Sequence, residues 1–219
     1  MNVVVVSPHP DDETLGAGGT LLRLKKEDHK VYWINVTNVT NSSKWSKEFV
    51  EIRKRQISEV IKKYEFNGYY DLGFEPCSLE DMDKGNLIDA VSKCFQEIKP
   101  EWIIIPNPED AHTDHKVVYE ACMSCSKVFR YPYVKKITVM EVLSETDFSK
   151  DGGSFSPNYY VDVTDTLEAK LEAMQLYNTE LGEWPFPRSL ENIKALAMVR
   201  GGTAGVKYAE AFRIIKWIE

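Results

Sequence analysis

The chain has 219 residues, of which 43% are hydrophobic and 28% are charged, an ordinary composition for a globular protein. Its 27 Lys and Arg against 34 Asp and Glu give a formal charge of −7, whereas a dedicated nucleic-acid-binding protein would carry a basic surface. No run approaches the roughly 18 apolar residues of a membrane span, and the N-terminus does not resemble a signal peptide. We therefore expect one domain over residues 1–219, a cytoplasmic location, no nucleic-acid partner and no integral membrane segment.

Segments typical of strands and helices alternate along the chain. Short β-branched apolar runs predict strands, and apolar residues three or four apart predict helices. In chain order the predicted elements are a strand at 2–6, a helix at 14–26, a strand at 31–36, a polar loop at 37–46, a helix at 45–64, a strand at 68–71, a helix at 86–98, a strand at 102–105, a helix at 116–129, strands at 137–143 and 159–163, and helices at 167–177 and 190–199. This alternation predicts an α/β fold, a Rossmann-like three-layer sandwich with helices on both faces of a mostly parallel sheet.

Histidines and carboxylates follow two of the predicted strands. The first strand is followed by Ser7-Pro8-His9-Pro10-Asp11-Asp12-Glu13, and the strand at 102–105 is followed by a segment that contains His112, Asp114 and His115. Ligands of parallel sheets bind beyond the carboxyl ends of the strands. Adjacent carboxylates repel one another unless a cation is present, and His with Asp is a common ligand set for divalent metals. The two segments together predict a metal site.

Two other short patterns have simpler interpretations. Gly16-Ala17-Gly18-Gly19 looks superficially like a phosphate-binding loop, but acidic residues occupy the preceding turn, where a pyrophosphate would need positive potential. We expect these glycines to allow close packing of a helix on the sheet. Cys122 and Cys125 form the only close cysteine pair, no second pair completes a four-thiolate zinc site, and they lie in a helical pattern. Buried, reduced thiols are the expected state of this pair.

The residues at the strand ends also carry a family resemblance. Pro8-His9-Pro10-Asp11-Asp12-Glu13 and His112-Thr113-Asp114-His115 resemble motifs of the N-acetylglucosaminylphosphatidylinositol deacetylase-like (LmbE-like) family of metal-dependent sugar-amide deacetylases. Further similarity lies at Gly18-Gly19, at Arg53 and in a closing segment that includes 208–212. The resemblance implies hydrolysis of the N-acetyl group of an N-acetylglucosamine-type sugar, in a small molecule, sugar nucleotide or glycoconjugate. Related members often assemble, so a homo-oligomer is a further expectation.

The resemblance also implies a ligand set. Zinc would be held by His9, Asp12 and His115, with water in the remaining position. Three protein ligands leave a metal one open position, as in other hydrolytic zinc enzymes. Iron(II) suits the same ligands, so the ligand set is compatible with either zinc or iron(II).

Four further residues receive roles by the same resemblance. Asp11 would be the general base, and a protonated His112 would stabilise the oxyanion. Asp114 would hold His112 in its charged form, and Arg53 would bind oxygens of the sugar partner. Two other functions are compatible with these residues, namely another mononuclear metal hydrolase such as a phosphoesterase, and a non-catalytic sugar-binding relative. The sequence assigns no role to Glu13.

Overall fold

A computed structural model describes residues 1–41, 44–149 and 155–219; two positions of the predicted loop at 37–46, residues 42 and 43, therefore lie outside the described residues. Within these ranges the strands are β1 (Asn2–Ser7), β2 (Lys30–Thr37), β3 (Gly68–Phe74), β4 (Trp102–Ile105), β5 (Lys136–Met140), β6 (Tyr159–Asp162) and β7 (Ala209–Trp217). The α-helices are α1 (Asp12–Lys26), α2 (Lys47–Tyr64), α3 (Lys84–Ile98), α4 (Thr113–Ser124), α5 (Leu167–Leu176) and α6 (Leu190–Ala204). None of these helices is both long enough and apolar enough to cross a bilayer.

The strands form one sheet in the order β3-β2-β1-β4-β5-β7-β6. β1 pairs in parallel with β2 on one side and with β4 on the other, and β4 pairs in parallel with β5. Only β7 runs antiparallel to its neighbours, β5 and β6. The predicted mostly parallel α/β sheet is thus confirmed. Because the chain moves outward from β1 to β3 and then returns to β4, the strand order reverses between β1 and β4, where open α/β sheets bind ligands.

β1 shows how the sequence produces three layers. Its four consecutive valines, Val3 to Val6, are all fully buried. Successive side chains of a strand point to opposite faces, and accordingly Val3 and Val5 belong to one hydrophobic core while Val4 and Val6 belong to another. The first core is covered by α1, α2, α5 and α6, and the second by α3 and α4. A strand buried on both faces needs such a continuous apolar run.

A buried ion pair packs against the middle of α1 and fastens β7 to it. Nζ of Lys170 lies 2.7 Å from Oε1 of Glu210 and donates to the carbonyl of Leu15 at 2.8 Å. The Glu210 carboxylate accepts from the backbone amides of Gly19 and Thr20 at 2.8 and 2.7 Å. A Cβ on Gly19 would lie 2.8 Å from the side chain of Val163, and a Cβ on Gly16 would lie 2.7 Å from Sδ of Met140 in β5. The expectation that these glycines permit close helix–sheet packing therefore has a specific cause.

Several elements differ from the sequence-based prediction. β3 extends to Phe74 rather than to 71, β5 ends at Met140 rather than at 143, and α6 extends to Ala204 rather than to 199. β7 was not predicted, because Glu210, Arg213 and Lys216 interrupt its apolar pattern. α4 spans Thr113–Ser124 rather than 116–129, since the side chain of His112 caps it by accepting a hydrogen bond from a backbone amide of its first turn. All four cysteines are free thiols, and Cys122 and Cys125 are buried in the second core.

Candidate metal centre and active site

The two polar segments meet where β1 and β4 end. His9 lies in the turn after β1, Asp12 is the first residue of α1, and His115 lies in the first turn of α4. One potential ligand atom from each of these three residues lies within 4.8 Å of the other two. The three residues that the family resemblance implies as metal ligands are therefore close together, although His115 is more than a hundred positions along the chain from His9 and Asp12.

In each of the two histidines, one ring nitrogen faces Asp12 and the other faces a different carboxylate. Nδ1 of His9 and Nε2 of His115 each lie 3.4 Å from the same oxygen, Oδ2 of Asp12. The opposite nitrogens face other carboxylates: Nε2 of His9 is 3.1 Å from Asp114, and Nδ1 of His115 is 2.7 Å from Asp110. An ionised carboxylate only accepts hydrogen bonds, so the outer nitrogens donate. In its neutral form, each ring would then present a lone pair toward Asp12, as metal-binding histidines with carboxylate partners do.

The donor set fits a divalent cation. Nε2 of His115 is fully buried and has no hydrogen-bond partner among the described residues, and such an atom is costly unless it is satisfied. Burial lowers the pKa of His9, but hydrogen bonds to Asp114 and Asp12 outweigh it and raise the pKa to about 9. Burial would raise the pKa of Asp12, yet His115 and His9 hold it well below its usual range. The cluster therefore favours positive charge at its centre, and two imidazoles with one carboxylate suit zinc or iron(II).

Asp114 is anchored against His9 rather than against His112. Its Oδ2 accepts from the backbone amide of Cys77 at 2.8 Å as well as from His9, and its Oδ1 accepts from the amide of Leu79 at 3.2 Å. By contrast, Oδ2 lies 3.9 Å from Nδ1 of His112. The sequence reasoning placed this carboxylate against His112, whereas the structure places it where it fixes the orientation of His9.

The two ring nitrogens of His112 have different partners. Its Nδ1 accepts from the backbone amide of Asp114 at 3.1 Å, so the proton of the neutral ring lies on Nε2, which is 3.5 Å from Sγ of Cys77. Burial and the positive charge of His9 lower the pKa of His112. The geometry accordingly offers a neutral imidazole that donates through Nε2–H, not an imidazolium.

Asp11 lines a cavity of about 230 Å³ beside the metal ligands. Its side chain makes no cap hydrogen bond to α1, although it occupies the N-cap position. Burial and the charges of Asp12 and Glu180 raise the pKa of Asp11 well above its ordinary value, against the opposing effect of Arg188 and Arg53. A carboxylate with a raised pKa next to a metal site suits proton transfer.

Arg53 also lines this cavity but is largely engaged by the protein. Its guanidinium donates to the carbonyl of Pro10 at 3.2 Å and forms an ion pair with Glu180. Arg188 shares Glu180, donating to its backbone carbonyl at 3.0 Å, and also donates to Oγ of Ser144 at 2.9 Å. Sequence reasoning did not connect Glu180 with Arg53, because 127 positions separate them and no local spacing signals the contact.

Aromatic side chains border the mouth of the cavity. Trp45 and Phe49 line it and stack on each other, with ring centroids 4.9 Å apart. The guanidinium of Arg53 lies 5.5 Å from the centre of the Phe49 ring, so these three lining residues are neighbours. Trp184 and Phe186 are exposed, and of residues 184–188 only Arg188 lines the cavity.

Comparisons with known proteins accord with this geometry. The chain is 22% identical over 227 residues to the diacetylchitobiose deacetylase of Thermococcus kodakarensis, covering 99% of this chain and 84% of that protein. It is 26% identical over 200 residues to a probable N-acetyl-alpha-D-glucosaminyl L-malate deacetylase 2 of Bacillus subtilis, covering 82% and 83%. The solved structure of N,N'-diacetylchitobiose deacetylase from Pyrococcus horikoshii has the same fold, with a TM-score of 0.76 at 22% identity over 98% of this chain and 84% of that chain. The model of the PIG-L family, described as GlcNAc-PI de-N-acetylase, matches residues 4–126, more than half of the chain, and the chain therefore belongs to that family.

Proposed function

We propose that this protein is a divalent-metal-dependent hydrolase that removes the N-acetyl group from an N-acetylglucosamine-type amino sugar. That it is a hydrolytic N-deacetylase follows from its family; the metal, the substrate class and the residue roles are the proposal. One observation carries it: one ring nitrogen of His9 and one of His115 lie 3.4 Å from the same oxygen of Asp12, and Asp11 lines the cavity beside them. A bound zinc or iron(II) ion would supply Lewis acidity toward the acetamide carbonyl and lower the pKa of a ligand water.

The residues of the chain would then carry out the proton transfers of the hydrolysis and stabilise the charge that develops. The Asp11 carboxylate takes a proton from the attacking water, whose oxygen forms a bond to the acetyl carbon. The carbonyl oxygen gains negative charge, and Nε2–H of His112 donates a hydrogen bond to it. The protonated Asp11 returns the proton to the sugar nitrogen as the C–N bond breaks. The products are the free amino sugar and acetic acid, which releases its remaining proton to solvent as acetate, and Asp11 is again ionised.

Two carboxylates support this reaction without touching the substrate. Asp110 and Asp114 would accept the ring protons of neutral His115 and His9, which would leave the metal-facing nitrogens free to bind the ion. Such partners raise the basicity of a ligand and fix its tautomer. Because Arg53 is held by Pro10 and Glu180, its proposed contact with a sugar hydroxyl or phosphate would use the donor positions that these two leave.

The first experiment measures bound metal and amine release on the same preparation. Protein purified without chelator and without a histidine tag is analysed by mass spectrometry for zinc and iron, and is then incubated with N-acetylglucosamine, diacetylchitobiose and a GlcNAc glycoside. We expect about one metal per chain, and amine and acetate release that chelation abolishes and metal restores. Release of p-nitrophenol from a phosphodiester with no amine release would favour the phosphoesterase alternative. Sugar binding without turnover in the metal-loaded protein would favour the non-catalytic alternative.

Two further expectations concern the partner of the protein and its location. A small-molecule or glycoconjugate amino sugar is the proposed partner, and the size of the cavity, about 230 Å³, suits one sugar residue with its remainder outside. Four free thiols agree with the reducing cytoplasm proposed from the sequence.

A further inference from the structure

Asp11 adopts a backbone conformation that its neighbours must maintain. Its φ is 135° and its ψ is −29°, in a region that L-residues rarely occupy. Such a conformation is strained and persists only where surrounding contacts hold it in place. The conformation of Asp11 also affects its side chain. An N-cap aspartate usually accepts hydrogen bonds from the first backbone amides of its helix. Asp11 does not, and its carboxylate lines the cavity instead.

Glu13 supplies the contact that maintains this conformation. Its Oε2 accepts a hydrogen bond from the backbone amide of Asp11 at 3.0 Å. The glutamate reaches back from two residues inside the helix to the residue at the cap, and thereby satisfies the amide of that residue. A buried amide without such an acceptor would be costly, so the orientation of the peptide group before Asp11 depends on where the Glu13 carboxylate is held.

The Glu13 carboxylate is itself fixed from two other helices. It is fully buried. Its Oε1 accepts from the hydroxyl of Tyr177 at 2.9 Å and from Oγ1 of Thr14 at 2.7 Å. Tyr64, at the end of α2, in turn donates its hydroxyl to Oγ1 of Thr14 at 3.1 Å. The carboxylate thus accepts three hydrogen bonds and cannot move without breaking contacts in the first core.

We propose that Glu13 is a positioning residue that keeps the Asp11 carboxylate directed into the cavity and away from the helix cap. The inference rests on the proposed function, in which Asp11 is the general base. It does not require Glu13 to contact metal or substrate, and Glu13 is absent from the cavity lining among the described residues. What matters is the reach of its side chain to the Asp11 amide rather than its charge.

Two substitutions distinguish the effect of the length of the Glu13 side chain from the effect of its charge. Glu13→Gln keeps an acceptor oxygen at the same distance from the backbone and removes the charge. Glu13→Asp keeps the charge and withdraws the carboxylate by one methylene. Glu210→Gln is the matched control, because Glu210 is another buried carboxylate that accepts from amides of α1, and it lies outside the cavity lining. For each variant, bound metal, kcat, KM and thermal midpoint are measured, and hydrogen exchange of the Asp11 amide is followed by NMR.

We expect Glu13→Asp to bind metal and substrate normally but to lose about 10²-fold in kcat, the scale expected when a reacting group is misplaced by about 1 Å. Its Asp11 amide should lose protection from exchange. Glu13→Gln should keep that protection and remain within about tenfold of wild-type kcat. Glu210→Gln should lower the thermal midpoint and leave kcat per bound metal unchanged.

Wild-type kcat and a protected Asp11 amide in Glu13→Asp would overturn the positioning role, as would a loss of kcat in Glu13→Gln that Glu13→Asp does not share. Failure of the proposed function has a different signature, namely a metal-loaded wild type that releases no amine from any N-acetyl sugar. In that case the exchange measurement still decides whether Glu13 holds the Asp11 backbone. If Glu13→Asp does not fold, Tyr177→Phe removes one fixing hydrogen bond and should produce the same pattern more weakly; no change in kcat or in Asp11 protection would overturn the proposal.

Discussion

Nδ1 of His115 lies 2.7 Å from Oδ2 of Asp110, and this contact turns the other ring nitrogen of His115 toward Asp12. A histidine that donates from Nδ1 must be unprotonated at Nε2 when it is neutral, which is the form that binds a metal. A similar relationship joins His9 and Asp114. In the proposed site, Asp110 and Asp114 would therefore leave one nitrogen of each neutral imidazole free for a cation.

Asp110→Asn should weaken metal binding about 10–100-fold, the usual effect of losing a carboxylate partner of a metal-binding histidine. Asn107 and Thr146 both donate to Oδ1 of Asp110, at 3.0 and 2.7 Å. They would keep the amide oxygen of the asparagine on their side, so its NH₂ group would face His115 and force the ring proton onto Nε2. Calorimetric titration with zinc measures the affinity. Asp83→Asn, an exposed cap of α3, is the control, and equal affinities in the two variants would contradict the argument.

Asp11→Asn should retain the metal and lose about 10²–10⁴-fold in kcat, the usual contribution of a general base. The asparagine preserves the size of the side chain but cannot accept the water proton. Asp12→Asn, one residue further on, should instead lose the metal, since Asp12 provides the oxygen that both histidine nitrogens face. Metal content by mass spectrometry and amine release at saturating substrate separate the two effects. Near-wild-type kcat in Asp11→Asn would refute its assignment as the base.

Glu180→Ala should destabilise the fold by about 1–3 kcal/mol and raise KM, because it leaves the buried guanidinium of Arg53 without its carboxylate partner. It also removes an acceptor of Arg188, which lines the same cavity. Urea unfolding measures the first effect and steady-state kinetics the second. Glu183→Ala, a nearby residue in an exposed position, controls for the loss of a negative charge. Unchanged stability together with unchanged KM would show that Arg53 does not depend on this pair.

Much of the site could be predicted because its residues are contiguous in two short segments. Each segment follows an apolar run, and parallel strands deliver such segments to one edge of a sheet. The partners of those residues could not be predicted in the same way. Glu180 is 127 positions from Arg53, and Glu210 is 191 positions from Gly19. β7 was missed for a related reason, since the charge of Glu210 interrupts an apolar pattern and only its contact with Lys170 and α1 explains why a strand tolerates it there.

Lys170→Met should destabilise the protein by about 3–5 kcal/mol, since it leaves the Glu210 carboxylate buried without its counter-ion. The double variant Lys170→Met/Glu210→Gln should recover part of this loss, because no uncompensated charge then remains. Denaturant unfolding of the two single variants and the double variant gives the coupling between the residues. Metal content per folded chain should be the same in all of them. Strictly additive losses would show that the pair does not act as a unit.

Lys136 should make stability depend on pH in the alkaline range. Its Nζ lies among three aromatic rings, 3.6 Å from the centroid of Trp102 and 4.1 Å from those of Tyr159 and Trp217. Burial lowers the pKa of Lys136 from 10.5 to about 8. Between these two values the unfolded chain binds more protons than the folded chain, so the contribution of this group to the free energy of unfolding rises with pH.

Urea unfolding of wild type and Lys136→Met at a series of pH values isolates that contribution. The wild type should gain stability relative to the variant as the pH rises from 8 toward 10.5, whereas the exposed neighbour Lys135→Met should show no such trend. The aromatic rings act against the effect of burial on the pKa of Lys136, because their faces attract an ammonium ion. A difference in stability that does not change with pH would mean that this attraction cancels the cost of burial and that Lys136 titrates as an ordinary lysine.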